Sequence, residues 1–459
     1  MPDLALIAPE ALLLLSALVA LFADVLFRGR TRAAAWIGAA GALLAAGVSW
    51  WAGQGTPVLF AGQFAVDGAA QVAQVATGLL TAAFLVWLAS HGLPRGSVRE
   101  FTALVLFSAL GAMLMAGARD WVVLMLSLEV ATMSAYVLMG FDRSDERGLE
   151  GALKFFLLSM VASLLFLYGL SFVIGMSGST SMAATKLQPG LIGAMAAAFV
   201  VAGMLAKLSA APFQWWAPDA YAGAPAASVA FVSAVPKAAG LVAFARVVLV
   251  LAPQTPALAL LLVGAAVLSM VIGNFAAYPQ NDLRRLMAYS GVAHAGYLLV
   301  GLAAGGQAGA SAALFYAIAY AVPSLGVMLV VAGVGNTLSE FRGLAARRPF
   351  LAWSTVLLLV SLIGIPPLAG FTGKLFLFTA AMGAGLVPLA VLAVVMSAVS
   401  AGFYFRIVRA MFFESGAADV GAQRVRGGAA AVVAACCVAV IAIGLAAGPL
   451  ISSITFVVK

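Results

Sequence analysis

Apolar stretches long enough to cross a membrane follow one another along almost the whole chain. Fourteen can be marked, and the connections between them are short. They lie at 4–27, 33–51, 69–90, 101–117, 121–140, 151–176, 191–209, 225–251, 257–277, 283–304, 310–334, 349–382, 387–411 and 428–455. Because roughly 20 apolar residues suffice for one transmembrane helix, the pattern predicts an all-α, polytopic membrane protein with 14 transmembrane helices.

The scarcity of charge excludes the soluble classes of protein. Charged residues make up 9% of the 459 residues, whereas soluble proteins carry about 25%. A soluble enzyme or a nucleic-acid-binding module is therefore excluded, although the net charge is +8. The excess of Arg over Lys and the abundance of Ala are typical of a high-GC bacterial genome. We therefore expect a multi-pass protein of a bacterial inner membrane.

The basic residues of the connections indicate an orientation. If the N-terminus is outside, the outer connections hold only Arg119, Lys186 and Lys459, and the cytoplasmic connections hold sixteen arginines. The cytoplasmic set is Arg28, Arg30, Arg32, Arg95, Arg99, Arg143, Arg147, Arg284, Arg285, Arg342, Arg347, Arg348, Arg406, Arg409, Arg424 and Arg426. This asymmetry obeys the positive-inside rule and predicts both termini on the periplasmic side. Membrane lipid, and no nucleic acid, is the expected partner of these charges.

Five basic residues remain inside the predicted spans: Lys154, Lys207, Lys237, Arg246 and Lys374. A desolvated lysine can release its proton, whereas an arginine cannot. Lys207, Lys237 and Lys374 are therefore candidates for proton transfer. Arg246 lies near a span end, which suits a side chain that snorkels to the interface, and for Lys154 both interpretations stay open.

Glu129 is an isolated acid in the middle of a span. An ionised group at that depth costs about 2.5–3.5 kcal/mol on insertion scales, so we expect a lysine partner. Glu10 and Asp24 lie nearer the ends of the first span and are expected at the interface or against a partner subunit.

The two histidines differ in their surroundings. His91 lies in a connection, where we expect it to be solvated. His294 lies in mid-span, with Ser290 and Tyr297 on the same helical face. This alignment suits either a proton relay or a hydrogen-bonded core residue.

Two segments rich in Pro and Gly interrupt the apolar pattern. One follows Lys207 and holds three prolines within 212–225, and the other carries a Pro-Pro pair before Lys374. Broken helices in transporters mark transport sites, although the first segment also suits an ordinary loop. The broken span is the fourth of spans 4–8 and also the fourth of spans 9–13. Since five spans is an odd number, the two sets are predicted to be inverted five-helix repeats, each with a discontinuous helix. The resulting units are 1–100 with spans 1–3, 101–251, 257–411, and 428–455 with the last span.

No cofactor or metal site is apparent in the sequence. The two cysteines, Cys436 and Cys437, are adjacent, whereas zinc and iron–sulfur sites need separated ligand clusters. Neither a dinucleotide-binding glycine motif nor a P-loop is present.

Four segments resemble the antiporter-like subunits of respiratory complex I and the related Mrp-type cation/proton antiporters. They are LSLEVATMSAYVL around Glu129, KLSAAPFQWWAPDAYAGAP from Lys207, AYSGVAHAGYLLVG around His294 and PPLAGFTGK ending at Lys374. Within that family the chain is most similar to the subunit N type of NADH-quinone oxidoreductase. Three features agree with the subunit N type. PDAYAGAP is followed by VPK at Lys237, Lys374 stands where the subunit M type has Glu, and the length matches. Gln214 departs from the family, which commonly has His there.

The resemblance implies a fold of fourteen helices with two inverted five-helix units and a proton pathway through Glu129, Lys207, Lys237, His294 and Lys374. Lys154 would serve the cytoplasmic uptake side or a subunit contact. It also implies a translocase subunit without a redox centre of its own, with FMN, iron–sulfur clusters and the quinone site in other subunits. Subunits K and M would be direct neighbours, A and J would lie nearby, and the lateral helix of subunit L would run alongside.

Three other functions compete with that of a complex I subunit. A subunit of an Mrp-type Na⁺/H⁺ antiporter shares the fold and most polar positions. A self-contained solute transporter would need a polar substrate pocket. A purely structural scaffold would leave four intramembrane lysines unexplained.

Overall fold

The computed structural model describes residues 6–23, 32–52, 58–93, 96–415 and 427–457. Several residues named above lie outside these ranges: Asp24, Arg28, Arg30, Arg95, Arg424, Arg426 and Lys459.

In the N-terminal part, the described residues form three helices and a short hairpin. The helices are α1 (Ala8–Leu21), α2 (Ala33–Ala52) and α3 (Gly68–His91). The hairpin pairs β1 (Val58–Leu59) with β2 (Phe64–Ala65) in antiparallel fashion.

The central part is helical throughout, with short connections. Its first six helices are α4 (Val98–Gly117), α5 (Trp121–Met139), α6 (Glu146–Ser177), α7 (Leu191–Lys207), α8 (Trp216–Gly223) and α9 (Ala226–Leu251). The next seven are α10 (Ala257–Ala277), α11 (Leu283–Ala304), α12 (Gly306–Val334), α13 (Leu344–Arg347), α14 (Pro349–Ile363), α15 (Ala369–Gly383) and α16 (Val387–Phe413). The C-terminal helices are α17 (Gly427–Leu445) and α18 (Ala447–Ser453).

The length and apolarity of its helices identify the chain as a polytopic membrane protein, as predicted. In the described ranges, 11 helices are long and apolar enough to cross a membrane, and α1, α7 and α14 are shorter apolar helices. Aspartates at 67, 120, 145 and 282 cap the N-termini of α3, α5, α6 and α11 by accepting hydrogen bonds from backbone N–H groups. Helices α9, α11 and α12 are buried over most of their length and form the centre of the molecule.

Both Pro-rich segments contain a non-helical stretch between two helices. The first separates Lys207, the last residue of α7, from the start of α8 at Trp216. Its backbone finds partners inside the protein, because Ser269 Oγ accepts from Ala211 N and Leu205 O accepts from Ala210 N.

The second segment separates α14 from α15. Helix α14 ends at Ile363, and Gly364 follows it in the left-handed conformation with a φ of 92°. Such a glycine is a common helix terminator. The predicted span 349–382 is therefore two helices, and the predicted last span 428–455 is likewise divided, with its first helix ending at Leu445.

Two expectations about charged residues are wrong. Arg246 does not snorkel: its side chain is 2% exposed and donates to Asp67 Oδ1 at 2.7 Å. Glu10 lies inside the chain rather than at an interface, because it is 2% exposed and accepts a hydrogen bond from Gln74 on α3. In both cases the partner lies far away in sequence, so position along the span did not reveal it.

The expectation that His91 is a solvated loop residue is also wrong. His91 is the last residue of α3, half-buried, and its ring stacks on Trp87 with centroids 4.6 Å apart.

Candidate functional site

Glu129 and Lys207 form an ion pair between α5 and α7. Lys207 Nζ lies 3.3 Å from Glu129 Oε1, and their side chains are 10% and 18% exposed. Ser163 Oγ donates to the same carboxylate oxygen at 2.5 Å. The predicted lysine partner of Glu129 is thus Lys207, and the pair lies at the rim of the helix core.

Hydroxyl groups complete the surroundings of the Lys207 ammonium. Ser159 Oγ lies at 2.9 Å, Tyr136 OH at 3.2 Å and Thr132 Oγ1 at 3.5 Å. These neighbours come from α5 and α6, so Lys207 has hydrogen-bond partners besides the carboxylate.

A cavity links Lys207 to Lys237. Its volume is about 80 Å³, and both lysines line it together with Thr132, Phe155 and Pro236. A cavity of this volume has room for ordered water, and Thr132 and the two lysines are polar residues in its otherwise mostly apolar lining. Water there would bridge the two ammonium groups, which make no direct contact.

Lys237 lies in mid-helix on α9 and points at α11 and α12. Its Nζ is 5.6 Å from the centroid of the Tyr320 ring. A Cβ atom on Gly291 would lie 3.1 Å from that same Nζ. The glycine on α11 therefore leaves the space that the ammonium occupies.

His294 lies at the centre of a ring of tyrosines. Its Nδ1 is 2.7 Å from Tyr316 OH and its Nε2 is 3.2 Å from Tyr404 OH. The Tyr320 ring, which also faces Lys237, packs against the imidazole at a tilt of 34°, with centroids 4.6 Å apart. With both nitrogens hydrogen-bonded to hydroxyls, the imidazole can accept a proton on one side and release one on the other.

Ser290 and Tyr297, the two residues expected beside His294, contact its ring less directly than Tyr316 and Tyr404 do. Ser290 contacts Tyr404 OH at 2.5 Å and so reaches the imidazole through that tyrosine. Tyr297 meets the His294 ring edge to face, with centroids 5.6 Å apart. Tyr316, Tyr320 and Tyr404 were missed because an uncharged aromatic on a buried helix does not stand out in sequence.

Lys374 occupies the break between α14 and α15. Its Nζ donates to Leu362 O at 3.0 Å, Ile363 O at 2.8 Å and Ser397 Oγ at 2.7 Å. The two carbonyls belong to the end of α14, where the helix dipole is negative. The break therefore creates a binding site for the ammonium, which also lies 4.8 Å from the Tyr297 ring centroid.

The structure thus brings five of the six predicted residues into one row. The row runs from Glu129 and Lys207 through the cavity to Lys237, past Tyr320 to His294, and past Tyr297 to Lys374.

Lys154 lies apart from this row. Its side chain is 45% exposed and pairs with Glu150 at 2.7 Å and Asp219 at 3.2 Å. Asp219 also pairs with Arg285 at 3.1 Å. Lys154 therefore belongs to a charged cluster joining α6, α8 and α11.

In the described ranges, no group of three or more His, Cys, Asp or Glu side chains could hold a metal ion.

A family model described as NADH:quinone oxidoreductase/Mrp antiporter, transmembrane, matches residues 118–400, which include every residue of the row. Subunit N 2 of the NADH-quinone oxidoreductase of Symbiobacterium thermophilum is 36% identical, over 98% of this chain and 96% of that protein. The chain belongs to the NADH-quinone oxidoreductase subunit N family. Subunit N of Methylobacterium nodulans is 37% identical over 99% of this chain and 97% of its own.

Chains of solved membrane complexes share the fold. A chain of respiratory complex I from Thermus thermophilus superposes with a TM-score of 0.83 at 32% identity, covering 97% of this chain and 98% of that one. A chain of the Mrp complex from Dietzia sp. gives a TM-score of 0.84 at 22% identity, covering 97% and 96%. The second likeness shows a shared fold.

Proposed function

We propose that this chain is the antiporter-like membrane-arm subunit that translocates protons from the cytoplasm to the outside when NADH-quinone oxidoreductase reduces quinone. Membership of the subunit N family supports this function. The observation that carries it is the row of protonatable side chains from Glu129 to Lys374 through the buried centre of the helices.

The ion pair at the rim starts the transfer. While Glu129 stays near Lys207, its negative charge stabilises the ammonium form of the lysine. When a conformational change draws the carboxylate away, that stabilisation is lost and the proton passes through the cavity water to Lys237. From there it moves to His294 and Lys374 and leaves on the outer side.

The helix breaks supply movable backbone. Lys374 is held by two carbonyls of a helix end and by Ser397. We propose that Lys374 is the last proton-loading position, because local rearrangement of such a segment exchanges its partners without unfolding a continuous helix.

The proposed topology has fourteen spans with both termini on the periplasmic side. Residues 101–251 and 257–411 form two inverted repeats, 1–100 hold spans 1–3, and 428–455 hold the last. The two interrupted helix pairs, α7–α8 and α14–α15, support this division.

The proposed neighbours are subunits K and M, with A and J nearby and the lateral helix of subunit L alongside. Partial exposure of Glu129 and Lys207 at the rim suits contact with the subunit nearer the quinone site. FMN, iron–sulfur clusters and the quinone site belong to other subunits, so this chain acts without a redox centre. Lys154 serves the cytoplasmic uptake side or a subunit contact through its cluster with Asp219.

Replacing Glu129 or Lys207 by Ala tests the pair. We expect the purified complex, reconstituted in vesicles, to show reduced proton translocation with NADH and quinone. Glu340→Gln is the matched control for loss of a carboxylate, because Glu340 lies on the surface. Normal pumping by an assembled, active complex carrying both changes would refute the role of the pair.

Purification of the tagged chain from native membranes tests the assembly. Co-migration with NADH:quinone oxidoreductase activity is expected, and co-migration with other antiporter subunits would instead support an Mrp-type Na⁺/H⁺ antiporter. Identities of 36–37% to subunit N relatives over nearly the whole chain favour the first outcome.

A further inference from the structure

Two serines on one turn of α6 contact the two members of the rim ion pair. Ser163 Oγ donates to Glu129 Oε1 at 2.5 Å, and Ser159 Oγ accepts from Lys207 Nζ at 2.9 Å. The serines are four residues apart and so lie on one face of the helix. The acid comes from α5 and the lysine from α7, so α6 is a third element that contacts both charges.

These serines interrupt a buried face that is otherwise apolar. The other buried residues of α6 are glycine, alanine, phenylalanine, leucine and valine, whereas Ser159 and Ser163 are each 3% exposed. On the outward face of the same turns, Leu157, Val161 and Leu164 are exposed. A hydroxyl buried on an apolar face is costly unless it is hydrogen-bonded, and both hydroxyls find partners in the ion pair.

The Ser163 hydroxyl has two acceptors for its single hydrogen. Besides the Glu129 carboxylate, the carbonyl oxygen of Ser159 lies 3.1 Å away, which is the acceptor that a helical serine commonly uses. The bond to the carboxylate is the stronger of the two, because hydrogen bonds to an ionised group are shorter than neutral ones and roughly twice as strong. The hydrogen therefore points at Glu129 while the carboxylate is near, and it turns to Ser159 O when the carboxylate moves away.

Ser159 Oγ is suited to both forms of Lys207. A hydroxyl oxygen accepts from an ammonium, and a hydroxyl hydrogen is available to the lone pair of a neutral amine. Lys207 thus keeps this partner before and after it releases a proton. Separation of the pair also leaves the Ser163 hydrogen bonded, so no unpaired buried donor opposes the separation.

We propose that Ser163 is a positioning residue that holds the Glu129 carboxylate beside Lys207 and releases it by rotating its hydroxyl to Ser159 O. This role rests on the proposed proton translocation. The bond to the carboxylate favours the paired state, and the alternative bond within α6 lowers the cost of the separated state. Ser163 therefore sets how readily the pair opens, and it acts through Glu129 without carrying the proton itself.

A double-mutant cycle tests whether Ser163 acts through Glu129. The measurement is the number of protons translocated per NADH oxidised by the reconstituted complex. Ser163→Ala should lower this ratio towards that of Glu129→Ala, and adding Ser163→Ala to Glu129→Ala should lower it no further. Ser171→Ala is the matched control and should pump as the wild type does, because the Ser171 hydroxyl donates to Tyr168 O of the same helix at 2.7 Å.

Infrared spectra of the purified complex add a readout that a purely structural serine would not change. The band of the Glu129 carboxylate is identified by its loss in Glu129→Ala. Ser163→Ala should shift that band, because the stretching frequency of a carboxylate depends on the hydrogen bonds that it accepts. Ser171→Ala should leave the band in place.

Three results would overturn the role of Ser163. They are a wild-type ratio for Ser163→Ala beside a reduced ratio for Glu129→Ala, a further loss when the two changes are combined, and an unshifted carboxylate band in Ser163→Ala. A wild-type ratio for Glu129→Ala would instead refute the proposed pathway, and the role of Ser163 would fall with it.

Discussion

At the scale of single residues, the row consists of ionisable side chains and of uncharged side chains that contact them. Glu129, Lys207, Lys237 and Lys374 stand out because charge is expensive within apolar spans. The hydroxyls of Tyr316 and Tyr404 carry no such mark. They belong to α12 and α16, and only helix packing brings them to the two nitrogens of His294.

Tyr316→Phe tests whether these hydroxyls matter. The change keeps the ring but removes the group 2.7 Å from His294 Nδ1. A neutral hydrogen bond contributes about 1 kcal/mol, so we expect proton translocation by the assembled complex to fall several-fold. The control is Tyr278→Phe, whose hydroxyl donates to Val399 O outside the row. Equal pumping by the two variants would show that Tyr316 is only a packing residue.

At the scale of helices, the prolines and glycines predicted that span 349–382 is interrupted before Lys374, but not what the interruption binds. The carbonyls of Leu362 and Ile363 accept from a lysine that follows them by 12 and 11 residues. That return depends on how α15 packs after the break, which no local propensity specifies.

Gly364→Ala tests the helix break. A non-glycine residue at a φ of 92° costs about 1–3 kcal/mol, and its Cβ would lie 3.0 Å from Lys374 Cδ. We expect reduced proton translocation, measured in vesicles per unit of assembled complex. Gly385→Ala is matched, because its φ is also positive, at 77°, and its Cβ would meet nothing within 4 Å. If both variants pump alike, displacement of Lys374 is not the cause.

At the scale of the whole molecule, the spacing of apolar runs and the scarcity of charge were enough to predict a polytopic helical protein. The long-range ties were not predictable. Asp67 lies before α3, Arg246 on α9, and the C-terminal segment donates from Val457 N to Asp67 Oδ2 at 2.7 Å. Arg246 also donates to Val457 O at 3.1 Å. Three distant parts of the chain therefore meet at one buried ion pair.

Arg246→Met should destabilise this junction by about 3–5 kcal/mol, because it leaves the Asp67 carboxylate buried without its cation. The measurement is the yield and thermal stability of the assembled complex. Arg342→Met removes an arginine from an exposed pair with Glu414 and should cost at most about 1 kcal/mol. Equal stability of the two variants would contradict a structural role for the buried pair.

The central claim is that protons pass along the buried row, and Lys237 tests it most directly because it joins the Glu129–Lys207 pair to His294. Lys237→Met keeps an unbranched side chain of similar length and removes the protonatable group. The measurement is the number of protons translocated per NADH oxidised by the reconstituted complex, with the exposed Lys186→Met as control. The account predicts that this ratio falls for Lys237→Met and is unchanged for Lys186→Met. An unchanged ratio for Lys237→Met in an active complex would contradict it.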